Sequence, residues 1–330
     1  SGTSVQTPSY DSKAEEFNHP SQGKSVAHFG QDGKAATAMA VRNSRIALAG
    51  IKLNRLTTDG SPADFALEGP MVSFSSEKGF ADGQSGVSAW IAHQVEGGRF
   101  NLNHLLPERA AMSPDGKWVY LTRYAKTVFG SGSHTKSVWE HVVLRVAFDG
   151  NEPPQVFAGE NGKPGDDNGH FNMPAGIDCD NEGRVYVADY YNNRVQVFLP
   201  DGKFLQTVKM DQPAEVAIHK KTGEVYVFCW PLCIPNKLGY DMNRIKGEKP
   251  RLVLEKLSAF PEIKRGAVLD LPVARAGEGQ GNDLAFRAEL DSWSTPPMIW
   301  LAPGRVDGNQ AEIVLAEEKG DLHRPRRGLF

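Results

Sequence analysis

The sequence predicts an all-β protein that repeats a four-stranded antiparallel sheet along most of its 330 residues. The chain contains 34 glycines and 21 prolines, a composition that favours many turns between short strands. Runs of β-branched and aromatic residues recur between these turns at a spacing of about 40 residues, which is typical of repeat proteins. Apolar residues make up 40% of the chain, and no apolar run approaches the roughly 18 residues of a membrane-spanning helix.

The clearest unit is the segment 171–208, FNMPAGIDCDNEGRVYVADYYNNRVQVFLPDGKFLQTV. Its predicted strands are residues 175–179, 184–188, 194–198 and 203–208. The second strand is β-branched and aromatic, and the third alternates apolar and polar residues, as a strand with one buried face does. Turn residues separate the strands at 180–183 and 200–202. Such a sheet cannot bury both faces alone, so we expect the units to stack radially as blades of a β-propeller.

Similar units recur on both sides of this segment. Pro174 and Pro213, which open two successive units, are 39 residues apart. The other predicted units are a degenerate copy at 45–60, a weaker candidate at 65–100, clear copies beginning at 106 and 212, and two middle strands within 296–322. The sequence therefore predicts a six-bladed β-propeller of four-stranded antiparallel sheets, with seven blades as the alternative.

The predicted propeller covers residues 25–322, between an N-terminal extension (1–24) and a C-terminal tail (323–330) that can lead into a further domain. The last unit, 296–322, has too few strands of its own. We therefore expect the region before Gly60 to supply a missing strand and close the ring, because an open array would expose a strand edge.

The segment 171–208 resembles the NHL repeat. The resemblance rests on Pro174, the turn at 180–183, Val-Tyr-Val-Ala-Asp at 185–189 and Asn-Arg-Val at 193–195. It implies an NHL-like propeller. Such propellers include RNA readers, scaffolds, extracellular lyases and lactonase-type hydrolases, so the resemblance selects no single function.

Two units carry enlarged connections between their second and third strands. One lies at 124–140. The other follows Cys229, where Asn243-Arg244-Ile245 is aligned with the Asn-Arg-Val of the segment 171–208, giving ten extra residues. Connections that the sheets do not need are often functional, although they can also arise by drift. Aromatic residues in or beside these junctions are predicted to bind a ligand by stacking, or else to pack the loops: Trp139, Tyr190, Tyr191, Trp230 and Tyr240.

Charged residues follow the proline that opens two of the units. These are Glu108 and Arg109 after Pro107, and Glu215 after Pro213. First strands line the channel of a propeller, so the three side chains are predicted to lie at the channel mouth. There they would bind a polar ligand or metal, or form ion pairs that plug the channel.

Among the nine histidines, no pair has zinc-finger spacing. The resemblance implies a channel metal held by histidines in the family's lyases, which makes His104 and His170 the candidate ligands for Ca²⁺ or Zn²⁺. The acidic, glycine-rich stretch at 159–169 lacks the residue order of an EF-hand loop. The chain also contains no G-x-S-x-G element and no phosphate-binding glycine loop.

Cys229 and Cys233 flank Trp-Pro-Leu, and a bend at the proline would bring them to disulfide distance. We expect this bridge, with two free thiols as the alternative, and we expect Cys179 to stay a buried free thiol. A disulfide would place the protein in an oxidising compartment, extracellular or periplasmic.

The sequence thus predicts a secreted or periplasmic recognition module for a carbohydrate, peptide or partner protein. The alternative is a channel-centred lyase or hydrolase that uses a divalent cation. A net charge of −3 and a pI of 6.3 argue against a nucleic-acid ligand.

Overall fold

The fold is known from a computed structural model. It describes residues 9–11, 16–18, 38–43, 45–52, 67–76, 88–90, 109–123, 126–129, 136–148, 154–230, 235–236, 239–240, 253–270, 287–293, 295–302, 314–317 and 322–323. The chain divides into two compact units, an N-terminal unit (Thr3–Pro164) and a C-terminal unit (Gly165–Leu329). Within the described ranges, no helix has the length and apolar character needed to cross a membrane.

The described residues of the N-terminal unit form two four-stranded sheets and two two-stranded ones. A short ribbon pairs β1 (Ser9–Asp11) with β2 (Glu16–Asn18). The first large sheet comprises β3 (Ala38–Arg42), β4 (Arg45–Lys52), β5 (Leu67–Ser76) and β6 (Ser88–Trp90). The strands that follow are β7 (Ala110–Met112), β8 (Trp118–Arg123), β9 (Lys126–Phe129), β10 (Lys136–Trp139), β11 (Val142–Ala147) and β12 (Gln155–Ala158). Of these, β9 and β10 form a hairpin, and the other four form the second large sheet.

In the C-terminal unit, three four-stranded sheets and one two-stranded hairpin are formed by the part of the chain that the structure describes. The first sheet comprises β13 (Pro174–Cys179), β14 (Val185–Asp189), β15 (Arg194–Phe198) and β16 (Phe204–Lys209), with a 3-10 turn at Tyr190–Asn192. The second comprises β17 (Pro213–Ile218), β18 (Val225–Cys229), β21 (Val253–Leu257) and β22 (Arg265–Asp270), with the hairpin β19 (Pro235–Asn236) and β20 (Gly239–Tyr240) between its middle strands. The third comprises β23 (Arg287–Asp291), β24 (Met298–Ala302), β25 (Val314–Glu317) and β26 (Leu322–His323).

The predicted all-β class and the four-stranded antiparallel sheets are confirmed, and two details are wrong. The units predicted at 45–60 and 65–100 are one sheet, because β4 pairs with β5 and β5 with β6. The sheet at 287–323 has four strands of its own, and none of the described strands before Gly60 pairs with it. The described residues contain five four-stranded sheets. The six-bladed count, ring closure and the domain boundaries stay predictions.

Within the N-terminal unit, the two large sheets pack face to face through an apolar cluster. It contains Ala38, Ala40, Ala47, Met112, Val119, Leu121, Val142, Leu144 and Val146. Side chains of the first sheet also donate hydrogen bonds to carbonyls of the second. Asn43 Nδ2 lies 2.7 Å from the Pro114 oxygen, and Arg45 Nη1 lies 2.7 Å from the Gly116 oxygen. Burial of apolar area supplies most of the stabilisation, and the hydrogen bonds fix the relative position of the sheets.

In the C-terminal unit, a second apolar cluster joins the 174–209 sheet to the 213–270 sheet. Among its members are Ala188, Val195, Val197, Val216, Ile218, Val225, Val227 and Leu257. The first strands of the two sheets approach backbone to backbone at Gly176. A Cβ atom there would lie 2.5 Å from the Glu215 Cα and 2.7 Å from the Val216 nitrogen. The absence of a side chain at this glycine is therefore a condition for the packing of the two sheets.

An ion pair between the buried Lys220 and the half-buried Asp178 ties the same two sheets together. Lys220 Nζ lies 2.7 Å from each carboxylate oxygen of Asp178 and 2.8 Å from the Cys179 carbonyl oxygen. Asp178 also accepts the Ile218 backbone N–H at 2.7 Å. The Lys220 backbone N–H donates in turn to the Ser292 oxygen, at 2.8 Å, of the next sheet. These contacts link all three large sheets of the C-terminal unit.

In three of the sheets, the turn between the first and second strands is closed by a hydrogen bond to the side chain of the residue that precedes the turn. The acceptors are Ser113 Oγ for the Trp118 N–H at 2.9 Å, Asp180 Oδ1 for the Arg184 N–H at 2.9 Å, and His219 Nδ1 for the Thr222 N–H at 3.1 Å. Asp180 also accepts the Tyr186 hydroxyl at 3.0 Å, and burial together with this carboxylate raises the pKa of Tyr186. Side chains of three different types thus close the same turn in three sheets.

We expect Gly176→Ala to lower the free energy of unfolding by at least about 2 kcal/mol, because backbone atoms cannot move aside as a side chain can. Thermal and urea unfolding followed by circular dichroism measure the change. The matched control is Gly169→Ala, whose new Cβ would meet only the Asp167 Oδ1 atom at 3.2 Å. Equal stability of the two variants would contradict the close approach at Gly176.

Candidate functional site

The candidate site is the junction end of the sheets, the end at which the first strand begins and the second strand connects to the third. In the 174–209 sheet this end is built from the entry loop (residues 165–172), the 3-10 turn at Tyr190–Asn192 and the start of β15. Met173, which precedes the first strand, and Asn193, which follows the turn, have φ angles of 67° and 52°. These left-handed residues reverse the chain within a few positions.

A buried ion pair between Asp189 and Arg194 lies at the centre of this end. The Arg194 Nε lies 2.7 Å from Asp189 Oδ2, and Asp189 is fully buried. Asp189 also accepts the Asn172 backbone N–H and the Asn192 side-chain amide, both at 2.7 Å. Burial raises the pKa of Asp189, and the hydrogen bonds from these three partners act in the opposite direction.

Arg194 also holds the entry loop. Its Nη1 donates to the Asp166 carbonyl at 2.5 Å, and its Nη2 donates to the carbonyls of Asp167 at 2.7 Å and His170 at 3.0 Å. Asn192 adds a bond to the Gly165 carbonyl at 2.7 Å. One guanidinium therefore connects β15 to a loop more than 20 residues earlier in the chain, and it uses the planar array of donors that arginine offers.

The sheet at 110–158 in the N-terminal unit has a buried ion pair of reversed polarity at its own junction end. Arg123 Nε lies 2.6 Å from Glu140 Oε2, and the two side chains are 1% and 5% exposed. Arg123 pairs across the strands with Val142, as Asp189 does with Arg194. Here the cation lies on the second strand and the carboxylate just before the third.

Sequence reasoning used Asp189 and Arg194 only as repeat markers and missed both ion pairs. The available signal was a charged residue at the end of an apolar strand.

The enlarged connections lie at the same junction of their sheets, as predicted. Residues 124–141 and 230–252 stand where the 174–209 sheet has only 190–193, and each longer connection contains a hairpin, β9–β10 or β19–β20. The predicted start of the third strand at Asn243-Arg244-Ile245 is wrong, because Cys229 pairs with Val253.

Two of the aromatic residues predicted to stack on a ligand are buried instead. Tyr190 and Trp230 are 0% and 2% exposed. They occupy equivalent positions, because the backbone N–H of each donates to the carbonyl before the opening proline, that of Met173 at 3.1 Å and that of Gln212 at 3.3 Å. Trp230 packs against Phe228 at 5.7 Å between ring centroids. Both rings are buried at the junction end, and ligand binding by them stays a prediction.

The other predicted aromatic residues lie nearer the surface or outside the described side chains. Tyr191 is half-buried, with its ring 5.3 Å from that of Tyr190. Trp139 ends β10 and Tyr240 ends β20, so both belong to the inserted hairpins. The side chains of these two residues are outside the described part of the chain. Ligand binding by Trp139, Tyr191 and Tyr240 stays a prediction.

The predicted channel-mouth residues are placed within separate units. Glu215, in the C-terminal unit, is 8% exposed, and its backbone meets Gly176. Arg109, in the N-terminal unit, is half-buried, and its backbone N–H donates to Thr122 Oγ1 at 2.9 Å. Glu108 lies outside the described residues. Convergence of the three charges stays a prediction.

His170, one of the two predicted metal ligands, faces a carboxylate. Its Nδ1 lies 2.9 and 2.8 Å from the two oxygens of Asp167, and the hydrogen bond lowers the pKa of Asp167. No cluster of three or more histidine, cysteine, aspartate or glutamate side chains suited to a metal ion occurs among the described residues. His104 lies outside them.

The predicted disulfide between Cys229 and Cys233 is not formed, because Cys229 is a free, buried thiol. Its side chain belongs to the apolar cluster between the two sheets. Burial, with smaller contributions from Glu255 and Asp211, raises the pKa of Cys229 to about 12. Cys233 lies outside the described residues, and Cys179 is a buried free thiol as predicted. The predicted extracellular or periplasmic location loses the argument that supported it.

Comparison with known families identifies residues 171–198 as an NHL repeat. Similar solved structures include virginiamycin B lyase from Staphylococcus aureus, with 10% identity, 87% of this chain and 68% of that chain covered, and a TM-score of 0.44. A chain of the nidogen/laminin complex shows 13% identity, 89% and 81% coverage and a TM-score of 0.44. An auxiliary nutrient binding protein from Bacteroides thetaiotaomicron shows 7% identity, 90% and 57% coverage and a TM-score of 0.44. The family match to residues 171–198 confirms the resemblance to the NHL repeat for this segment.

We expect Arg194→Met to cost about 3–5 kcal/mol of stability, because it leaves the buried carboxylate of Asp189 without its cation. It should also release the entry loop, which limited proteolysis at Asp166 and Asp167 detects. Lys117→Met is the control, because its ion pair with Asp115 is exposed and such pairs contribute about 0–1 kcal/mol. An Arg194→Met protein that melts and resists proteolysis like the parent would show that the pair does not hold this end.

The burial of His141, which follows Glu140 in the chain, leads us to predict that the stability of the protein depends on pH. Burial lowers its pKa to about 4, from an ordinary value near 6.5. Above pH 6.5 the ring is neutral in both states. Between 6.5 and 4 only the unfolded chain takes up the proton, so stability falls as the pH falls. The loss is at most about 3 kcal/mol. Melting temperatures across this interval measure it, and His141→Gln should flatten the profile. An unchanged slope would assign the acid sensitivity to other groups.

Proposed function

We propose that the chain is a ligand-recognition module of the β-propeller type, a closed ring of six blades that acts in an extracellular or periplasmic space. It binds a carbohydrate, a peptide or a partner protein at the junction ends of its sheets. The observation that carries the proposal is the pair of inserted hairpins. Each hairpin lies in the connection between the second and third strands of its sheet. In the 174–209 sheet the same connection has only four residues, 190–193.

The hairpins are not needed to form the sheets. The strands on either side of each insertion pair in continuous register, Arg123 with Val142 and Cys229 with Val253, just as Asp189 pairs with Arg194 across the short connection. Segments that add nothing to a sheet and lie on its rigid end are where repeat proteins place their contacts with ligands.

Each inserted segment starts from a buried base. The connection of the 110–158 sheet is flanked by the buried Arg123–Glu140 ion pair, and that of the 213–270 sheet follows the buried ring of Trp230. A ligand contact supported by a fixed base loses little conformational entropy on binding. The inserted segment of the 213–270 sheet follows Trp230 directly in the chain, and Trp230 is buried.

Exposed polar groups at the junction end of the 174–209 sheet suit a polar ligand. Asp166, Asp167 and Asn168 are exposed on the entry loop, and Tyr191 is half-buried. Carboxylate and amide groups bind sugar hydroxyls or peptide amides, and an aromatic ring stacks on a sugar or an apolar side chain. This combination supports a carbohydrate or peptide ligand.

The test shortens one inserted connection to the length of the corresponding connection in the 174–209 sheet. Residues 231–252 are replaced by Tyr-Asn-Asn, the sequence of residues 191–193, so that Trp230 keeps its packing. Binding is surveyed on glycan and peptide arrays and measured by calorimetry on the hits. We expect the variant to lose at least about tenfold in affinity, since hot-spot contacts contribute roughly 1–3 kcal/mol each, and to keep the parent melting temperature.

A second variant shortens the connection 124–139 and keeps Glu140. If both shortened proteins bind every hit as the parent does, the proposed surface is wrong. Metal analysis of the purified parent runs alongside. A stoichiometric divalent cation, combined with unaltered binding in both variants, would move the function to the channel and favour the lyase or hydrolase alternative.

A further inference from the structure

Two Asn-Gly dipeptides lie close together in the connection between β12 and β13. They are Asn161-Gly162 and Asn168-Gly169, and all four residues are exposed. Asparagine followed by glycine is the sequence in which a backbone nitrogen most readily attacks the preceding side-chain amide, because glycine has no side chain to obstruct the approach and rotates freely. The chain thus exposes the same dipeptide to solvent at two positions.

The second dipeptide has its attacking nitrogen restrained. The Gly169 N–H donates to Asp167 Oδ1 at 2.7 Å. For ring closure this nitrogen must lose its proton and turn toward the carbonyl carbon of the Asn168 side chain. A carboxylate that holds the N–H opposes both steps, since a hydrogen bond to a charged acceptor is stronger than one between neutral groups. Asp167 is itself fixed by His170, which lies 2.8 Å from its other oxygen.

The first dipeptide occupies a turn that leaves its nitrogen unrestrained. The turn is closed by the Lys163 N–H, which donates to the Glu160 carbonyl at 3.0 Å, and Gly162 has a φ of 77°. Among the hydrogen bonds of the described residues, none is donated by the Gly162 nitrogen. The Lys163 ammonium forms an exposed ion pair with the Glu160 carboxylate in the same turn.

We propose that Asn161 is a site of spontaneous deamidation and that Asn168 is protected from the same reaction by the carboxylate of Asp167. The Gly162 nitrogen forms a bond to the side-chain carbonyl carbon of Asn161, and the carbon–nitrogen bond of the amide breaks. The nitrogen's proton leaves with the amide group as ammonia, and a cyclic imide remains. Water then adds to one of the two imide carbonyls and gives an aspartyl or an isoaspartyl residue. No oxidant or reductant takes part.

The product changes the charge and the geometry of the turn. A new carboxylate appears next to Glu160 and competes for the Lys163 ammonium. An isoaspartyl product also adds a methylene to the backbone within a turn closed by a single hydrogen bond. Because residues 160–163 lie in a connection outside the four-stranded sheets, the modification alters the exposed connection and leaves the core intact.

The experiment follows both asparagines in one molecule. The folded protein is incubated in mildly alkaline buffer made with oxygen-18 water and then cleaved after glutamate, which releases a peptide covering residues 161–182 with both dipeptides. Fragment-ion mass spectrometry assigns the incorporated oxygen to one position or the other. We expect position 161 to react at least about tenfold faster than position 168, the factor that corresponds to a charge-assisted hydrogen bond of about 1.4 kcal/mol.

Two controls make the result decisive. In denaturant the hydrogen bond to Asp167 is absent, and we expect the two positions to react at nearly equal rates. In the folded Asp167→Ala protein, position 168 should accelerate toward the rate of position 161, while Gly162→Ala should slow position 161 alone. Equal rates in the folded parent, or no response of position 168 to Asp167→Ala, would overturn the proposal. A melting curve confirms that each variant is folded.

Discussion

Each four-stranded sheet in this protein has two faces to bury, and its own strands can cover neither. The neighbouring sheet is therefore part of the core, as the shared apolar clusters of both units show. In the C-terminal unit the requirement is met so closely that the first strands touch through their backbones, which only glycine at position 176 allows. Once the sheets are packed in this way, the position of every strand end is fixed, and so is the position of every connection that the strand ends carry.

The junction ends combine a fixed base with variable additions. Asp189 with Arg194, and Arg123 with Glu140, occupy the end of the second strand and the approach to the third. The burial of Tyr190 and Trp230 in equivalent positions closes the space below. Arg194 extends this order to the entry loop through three backbone carbonyls. Loop length and sequence can then differ from sheet to sheet without cost to the sheets, which is the arrangement that a recognition surface requires.

The sequence predicted what is local and missed what depends on distant partners. The strands at 185–189 and 194–198 were evident because β-branched and aromatic residues alternate between turn residues, and these signals lie within the segment itself. Asn243-Arg244-Ile245 imitated the local motif of a third strand, whereas the true strand starts at Val253 because pairing with Cys229 decides the register. The spacing of Cys229 from Cys233 is visible in the sequence and predicts a disulfide, whereas the place of Cys229 in an apolar cluster is not visible there. The role of Arg194 was hidden because its acceptors are carbonyl groups, which every residue has.

The reversed polarity of the two buried ion pairs bears on how similar sheets avoid exchanging strands while the chain folds. If the second strand of the 110–158 sheet paired with the third strand of the 174–209 sheet, Arg123 would face Arg194. The opposite exchange would bring Asp189 near Glu140. Either error buries two like charges, which costs several kcal/mol, so only the correct combinations neutralise both. Repeated sheets of similar sequence are prone to misassembly. The charges at these two junction ends therefore favour, in each of the two sheets, pairing of the second strand with the third strand that follows it.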